Sequence, residues 1–189
     1  MKSLRWMPIL FLATCFLLTG SETVSAQDFR LTSPQLREGG RMPMAQVYSE
    51  IGCTGENISP ALAWRNPPKQ TQSFAVTLFD TDARHGNGWW HWLIFNIDPS
   101  VRNLPQNSGN PEAALAPPGA VQSVTDFGTP GYGGPCPPTG DIPHHYIFTV
   151  YALDVPRLDV DASAMPGTVN AAILQHAIGF ARLTVMFSR

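Results

Sequence analysis

The sequence predicts a mainly β protein built on an antiparallel or mixed sheet, and three observations carry that reading. Apolar and β-branched runs of strand length recur at Ser73–Phe79 (SFAVTLF), Trp89–Ile97 (WWHWLIFNI), His145–Leu153 and Ala181–Phe187 (ARLTVMF). The segments between them are dense in turn residues, with 18 Pro and 16 Gly in 189 residues, which disfavours helical connections. Only Thr168–Ile178 has helical spacing, with Val169, Ala172, Ile173 and His176 on one side. Strands followed by one late helix do not make the alternating pattern of a doubly wound α/β protein.

The first 26 residues stand apart. Lys2 and Arg5 precede an apolar run, Ile9–Leu18, and Val24-Ser25-Ala26 ends in the small residues of a cleavage site. This reads as a secretory signal peptide cut before Gln27. A membrane anchor is the alternative, but the run is shorter than the roughly 20 residues a span needs. Lipidation at Cys15 is disfavoured by Thr14 immediately before it. Residues 27–189 then form one domain of 163 residues with 10 basic and 13 acidic side chains, a net charge of −3. No basic patch is present, which argues against a nucleic-acid partner, and no second apolar run is long enough to span a bilayer. Cys53 and Cys136 remain. In an exported chain an even count permits a disulfide, the alternative being two unpaired thiols.

In chain order, Phe29–Leu36 opens with a short strand and a turn at Ser33-Pro34. Glu38-Gly39-Gly40 is a turn, and Met42–Tyr48 reads as a strand. Gly52–Asn57 is loop. Asn57-Ile58-Ser59 matches a glycosylation acceptor, a triplet frequent by chance, and a strand ends near Trp64 before the turn at Asn66-Pro67-Pro68. Ser73–Phe79 is apolar almost throughout, as a strand covered on both faces would be. It runs into Asp80-Thr81-Asp82, whose two acids share a face if extended geometry continues. Ser100–Thr129 is a long loop, which at this length should be ordered and functional. Val155–Asp161 is a connection or edge strand. The helix is capped by Gly167 or Thr168 and ended by Gly179.

The centre of the chain is Gly131–Leu153, where a Gly-Pro-Cys loop feeds a strand. Alternation along the strand puts His144 and Tyr146 on one face and His145 on the other. They face the Gly133, Gly134 and Cys136 amides, which can form a small anion-holding concavity, stiffened by Pro135, Pro137 and Pro138. A plain hairpin turn with a buried histidine is the competing reading. Asp80 and Asp82 at one strand end, with His91 at another strand start, complete a cluster of two carboxylates, imidazoles and a phenol. Carboxylates hold imidazoles charged, and charged imidazole with hydroxyl and amide donors suits phosphate or carboxylate. The same acids would repel an anion unless paired or turned away, so a zwitterionic ligand fits.

Four motifs in this order carry a resemblance: Asn57-x-Ser59-Pro60-Ala61-Leu62-x-Trp64, Asp80-x-Asp82-Ala83, Trp90-His91-Trp92, and Gly131–Gly140 with His144-x-Tyr146. From Phe29 to Arg189 the chain resembles the phosphatidylethanolamine-binding protein family, in its bacterial Raf-kinase-inhibitor-like branch. The resemblance implies a β-sandwich with a large central sheet, Greek-key connections and one or two short peripheral helices. It also implies a pocket for phosphate-like anions formed by Asp80, Asp82, His91, the Gly134, Pro135 and Cys136 wall, His144 and Tyr146. Cysteine is common in that branch at both positions 53 and 136, which implies a Cys53–Cys136 bridge. Thr81 replaces the usual Pro, which implies a looser turn. His145 replaces a common Arg, which implies a weaker outer ion pair. After Phe187 there is no counterpart to the eukaryotic C-terminal helix.

The reading that follows is an exported, periplasmic or secreted, non-enzymatic binding protein without a cofactor, monomeric or homodimeric. Its ligand is a small phosphate-bearing anion, including a phospholipid head group, and inhibition of a kinase- or protease-like partner is implied by resemblance alone. The alternative is a metal-assisted hydrolase using His91, His144, Asp80 and Asp82, although no HExxH or G-x-S-x-G motif is present. A lectin-like site on Trp89, Trp90 and Trp92 is a third reading, since such clusters more often pack cores.

Overall fold

The computed structural model describes residues 28–189; the expected signal peptide lies outside them. The strands are β1 (Arg30–Thr32), β2 (Gly40–Arg41), β3 (Leu62–Arg65), β4 (Ser73–Asp80), β5 (Trp89–Ile97), β6 (Asn103–Leu104), β7 (Val121–Gln122), β8 (His144–Leu153) and β9 (Ala177–Phe187). A single turn, α1 (Ala83–Gly86), lies between β4 and β5, and helix α2 (Pro166–His176) precedes β9. Six strands form the large sheet in the order β2-β9-β8-β4-β5-β7, and β1-β3-β6 form a small one. The β2–β9 pair is parallel and the other pairs are antiparallel. The protein is mainly β, as its sequence indicates.

Alternation explains why the central strands are apolar throughout. Phe74, Val76 and Leu78 of β4, Trp92 and Ile94 of β5, and Phe148 and Val150 of β8 share one face and pack against Leu31, Leu62 and Trp64 of the small sheet. Ala75, Leu93, Phe95, Tyr151 and Leu153 point the other way, onto Val169 and Ile173 of α2. Both faces are therefore covered, and each fully buried Leu, Ile or Phe contributes about 1.5–3 kcal/mol of burial. The expected strands at Ser73–Phe79, Trp89–Ile97 and His145–Leu153 are present to within one residue.

Several local expectations are corrected. Met42–Tyr48 is not a strand but contains a 3₁₀ turn, Met44–Gln46, entered from Pro43. The helix starts after Met165 with Pro166 in its first turn, where a missing N–H costs nothing, rather than at Gly167 or Thr168. It also ends earlier, because Ala177–Phe180 pair with β8 from Leu153 to Tyr151. Gly179 is thus a strand residue; a Cβ there would sit 2.8 Å from the Pro68 ring. The long loop holds two two-residue strands, β6 and β7. Of the two readings for Val155–Asp161 the connection is the one present, with Leu158 N–H donating to Asn96 Oδ1 at 2.7 Å.

Cys53 and Cys136 are joined by a disulfide, with Cα atoms 5.9 Å apart and a sequence separation of 83. The two loops also share Arg189, whose Nε donates to Pro137 O (2.6 Å) and whose guanidinium donates to Gly52 O (2.7 Å). Closing a loop this long stabilises by about 4–5 kcal/mol in the chain-entropy estimate. Mature protein denatured without reductant is expected to show zero free thiols and no disulfide-linked dimer. Paired Cys53→Ser and Cys136→Ser substitution is expected to lower unfolding stability by about 2–4 kcal/mol in a denaturant titration; two free thiols in the wild type would contradict the bridge.

Candidate functional site

The polar cluster sits where β5, β4 and β8 end side by side. Antiparallel register places Asp80 opposite Tyr146 of β8 and Trp89 of β5. On β5, Leu78 pairs with Trp92 and Phe79 with Trp90, so one extra residue, His91, is inserted as a β-bulge. The bulge turns Trp90 onto Phe79, ring centroids 4.4 Å apart, and turns His91 onto the face that carries Tyr146, 5.3 Å away. His144 and Tyr146 are buried and His145 is exposed, the alternation their sequence indicates.

Asp80 is the buried hub. Its Oδ1 accepts from the Asp82 and Ala83 amides at 2.9 and 3.1 Å, and its Oδ2 accepts from His144 Nδ1 at 2.8 Å. Those two amide bonds end the extended geometry, so Asp80 and Asp82 do not share a strand face. The Asp82 carboxylate turns outward and accepts from the amide (2.7 Å) and Nδ1 (3.0 Å) of His145. Thr81 adds its hydroxyl to Asp82 at 3.2 Å. Burial alone would raise Asp82, but the His145 amide and ring hold it below the usual carboxylate range.

The two buried histidines differ. The strongest influence on His144 is burial, which favours the neutral ring, but the bonds to Asp80 and then Asp141 outweigh it and raise its pKa above 6.5. Its Nε2 donates to Asp141 Oδ2 at 3.3 Å, so both ring nitrogens are donors and the ring is an imidazolium. His91 is lowered, chiefly by its complete burial. Its Nδ1 donates to Gly133 O at 2.7 Å, leaving Nε2 as an acceptor, 3.9 Å from Asp80 Oδ2. Burial first, and the neighbouring Asp80 second, raise the Tyr146 phenol far above its ordinary range. Its hydroxyl is buried beside the Asp80 carboxylate, yet it makes no hydrogen bond of normal geometry among the described residues.

The Gly-Pro loop forms one wall, yet two of its expected anion donors are already used. Gly133 N–H donates to His91 O and Gly134 N–H to Asn57 Oδ1, both at 2.8 Å. Asn57 Nδ2 returns a bond to Tyr132 O, so its side chain is committed to the loop. Gly134 is required by close approach, since a Cβ would lie 2.1 Å from Gln46 O. The resulting cavity, about 600 Å³, is lined by Asp80, Asp82, His91, Cys136, His144 and Tyr146 among others. Of the site residues indicated by sequence, Gly134 and Pro135 support this wall without lining the cavity.

Sequence reasoning missed Arg84, Phe127, Asp141, Ile51 and Ile142, all of which also line it. Arg84 lies over the Trp89 ring at 4.1 Å, at a left-handed position (φ 52°), and Phe127 packs edge-on against His91 and Trp89. No spacing or motif marks them, because they come from four separate segments, with only Asp141 and Ile142 adjacent. The tryptophans divide: Trp92 is core, donating Nε1 to Gln122 Oε1 at 2.6 Å, Trp90 packs on Phe79, and Trp89 faces the cavity.

A two-sheet β protein with a carboxylate, histidine and tyrosine pocket at one sheet end defines the class. The phosphatidylethanolamine-binding protein family model matches residues 32–188, and the chain belongs to that family. It is 45% identical over 159 residues to the UPF0098 protein YbhB of Escherichia coli, covering 84% of this chain and 99% of that one. It is 42% identical over 167 residues to the UPF0098 protein YbcL of the same organism, covering 87% and 91%. The crystal structure of YbcL, described as a member of the mammalian PEBP family, superposes with a TM-score of 0.84 at 40% identity, covering 86% of this chain and 99% of that one. The LppC protein of Mycobacterium tuberculosis, which carries a lipoprotein name, is 32% identical over 163 residues, 86% of this chain and 74% of that one.

The opposite shifts set a pH dependence. His144, raised in the fold, stabilises fully below the ordinary 6.5, and this is lost as pH rises through its folded value. His91, lowered in the fold, costs nothing above 6.5 and destabilises increasingly as pH falls below it. Ring-proton NMR is expected to show His144 titrating above 6.5 and His91 below it; the reverse order would contradict the assigned protonation states.

Proposed function

We propose that the protein is an exported, non-enzymatic binding protein that holds a small phosphate-bearing anion at the floor of this cavity. The observation that carries the reading is the unpartnered Tyr146 hydroxyl at the floor, beside the imidazolium of His144. An unmade bond at a buried hydroxyl costs roughly 1–3 kcal/mol, which a bound oxyanion would recover. Asp80 is paired with His144 and Asp82 with His145, so neither acid stands uncompensated at the site. The His91 Nε2 acceptor suits a protonated phosphate oxygen or the ammonium of a zwitterion. Ile51, Ile142, Phe127 and Trp89 give the cavity an apolar surround that suits an aliphatic remainder, as on a phospholipid head group.

The hydrolase alternative asks the same residues to hold a metal. A histidine ligand needs a free lone pair, and His144 uses both nitrogens as donors. Among the described residues no group of three or more His, Cys, Asp or Glu side chains is arranged around a metal position. Both points favour binding over catalysis.

Residues 1–26 serve in this reading as the export signal and 27–189 as the single binding domain, delivered to the periplasm or secreted. The disulfide fits an oxidising compartment, and no helix among the described residues is long and apolar enough to cross a membrane. Inhibition of a kinase- or protease-like partner, and a monomeric or homodimeric state, rest on family membership alone.

Calorimetry with inorganic phosphate and, separately, glycerophosphoethanolamine tests the ligand class and distinguishes free phosphate from head group. His144→Ala and Tyr146→Phe are each expected to weaken binding about ten- to a hundredfold, the worth of a charge-assisted hydrogen bond. Tyr146→Phe is expected to leave the fold as stable as wild type or slightly more so. Unchanged affinity in both variants would refute the reading.

A further inference from the structure

We propose that Asp141 is a built-in competitor for the site: its carboxylate occupies the imidazolium edge that a ligand oxyanion uses, and the anion binds by displacing it. The inference rests on the anion-binding reading above and specifies how that site is regulated.

His144 has two donors. Nδ1 is fixed on Asp80, a side chain only 3% exposed. Nε2 is the remaining donor, and Asp141 Oδ2 takes it at 3.3 Å. As the structure stands, the imidazolium has no free N–H for a ligand. Any anion that bonds His144 must break one of these two contacts.

The contacts are unequal. Asp80 is locked from all sides, with two backbone amides on Oδ1 and His144 on Oδ2. Asp141 is held only locally. Its Oδ1 accepts from the amide of the next residue, Ile142, at 2.9 Å, and its side chain is 45% exposed. It belongs to an exposed stretch, Pro138–Pro143, between the Cys136 wall and β8. A pair with one solvated partner is weak, because water screens the charge and competes for the hydrogen bond. Rotation of one short side chain therefore opens the Nε2 edge without moving the backbone, whereas displacing Asp80 would leave a buried charge unpaired.

Asp141 also lines the cavity, so it acts on an incoming anion by charge as well as by occupancy. Arg84, the fixed cation of the same lining, rests over Trp89 and forms no ion pair among the described residues. The site thus holds an unmatched guanidinium at its mouth and an internal carboxylate on its imidazolium. This arrangement filters ligands: an oxyanion must outbid a tethered carboxylate, which weak singly charged anions do less well than phosphate.

The test is calorimetric titration of the mature, disulfide-intact protein with inorganic phosphate at pH 6.0, below the ordinary histidine value. Wild type, Asp141→Asn, Asp141→Ala and His144→Ala are compared. Removing a like charge a few ångströms from the bound anion is expected to tighten binding by about tenfold in Asp141→Asn and at least as much in Asp141→Ala, with binding weakened about ten- to a hundredfold in His144→Ala. Measurable phosphate binding in the Asp141 variants alone would support complete occlusion in the wild type. Equal or weaker binding in both Asp141 variants, with His144→Ala still impaired, would overturn the competitor role and leave the anion site standing. Failure of every form to bind phosphate would overturn the anion-binding reading and the competitor with it.

Discussion

The contact between Asp80 and His144 organises one whole end of the protein. A carboxylate and an imidazole, both nearly inaccessible, meet at 2.8 Å across neighbouring strands. Burying either alone would be costly, and breaking such a pair by removing one partner typically destabilises by about 3–5 kcal/mol. The same carboxylate ends β4 by taking the amides of Asp82 and Ala83, so charge pairing and chain reversal are a single device. That reversal is what sends Asp82 outward to His145 and brings Arg84 back over Trp89.

The wall opposite this pair is held from outside the sheet. The disulfide, the Arg189 bonds to Pro137 and Gly52, and the Asn57 amide bonds to the Gly-Pro loop all converge on it. The loop has spent its Gly133 and Gly134 amides on this anchoring, so it contributes shape and rigidity rather than an anion cradle. Rigidity lowers the entropy lost on binding. The floor supplies the chemistry, in the form of one imidazolium, one neutral imidazole acceptor and one unpartnered phenol.

Much of this was legible in the sequence, for physical reasons. Strands covered on both faces must be apolar throughout, so β4, β5 and β8 announce themselves. Alternation with period two assigned His144 and Tyr146 to one face and His145 to the other. What failed was what pairing and packing decide. Gly179 reads as a helix stop because the residues before it are helical, but its pairing opposite Ala152 makes it strand. The His91 bulge leaves no mark in composition, since the extra residue is defined only by its partner strand. Extended geometry carried past Asp80 would set Asp82 beside it, and Asp80 itself ends that geometry by taking the Asp82 and Ala83 amides. Asp141 gives no signal of its own: it lies in an irregular stretch three residues before His144, where no periodicity sets the direction of its side chain.

The measurement that bears most directly on the Asp80–His144 pair is the ring-proton titration of His144 in an Asp80→Asn protein, with folding checked by circular dichroism. Asparagine keeps an acceptor for the Asp82 and Ala83 amides while removing the charge. With the carboxylate gone, His144 is expected to titrate lower than in the wild type, because the opposite charge that favours the imidazolium is lost and its burial remains. An unchanged titration in a folded variant would contradict the role given to Asp80.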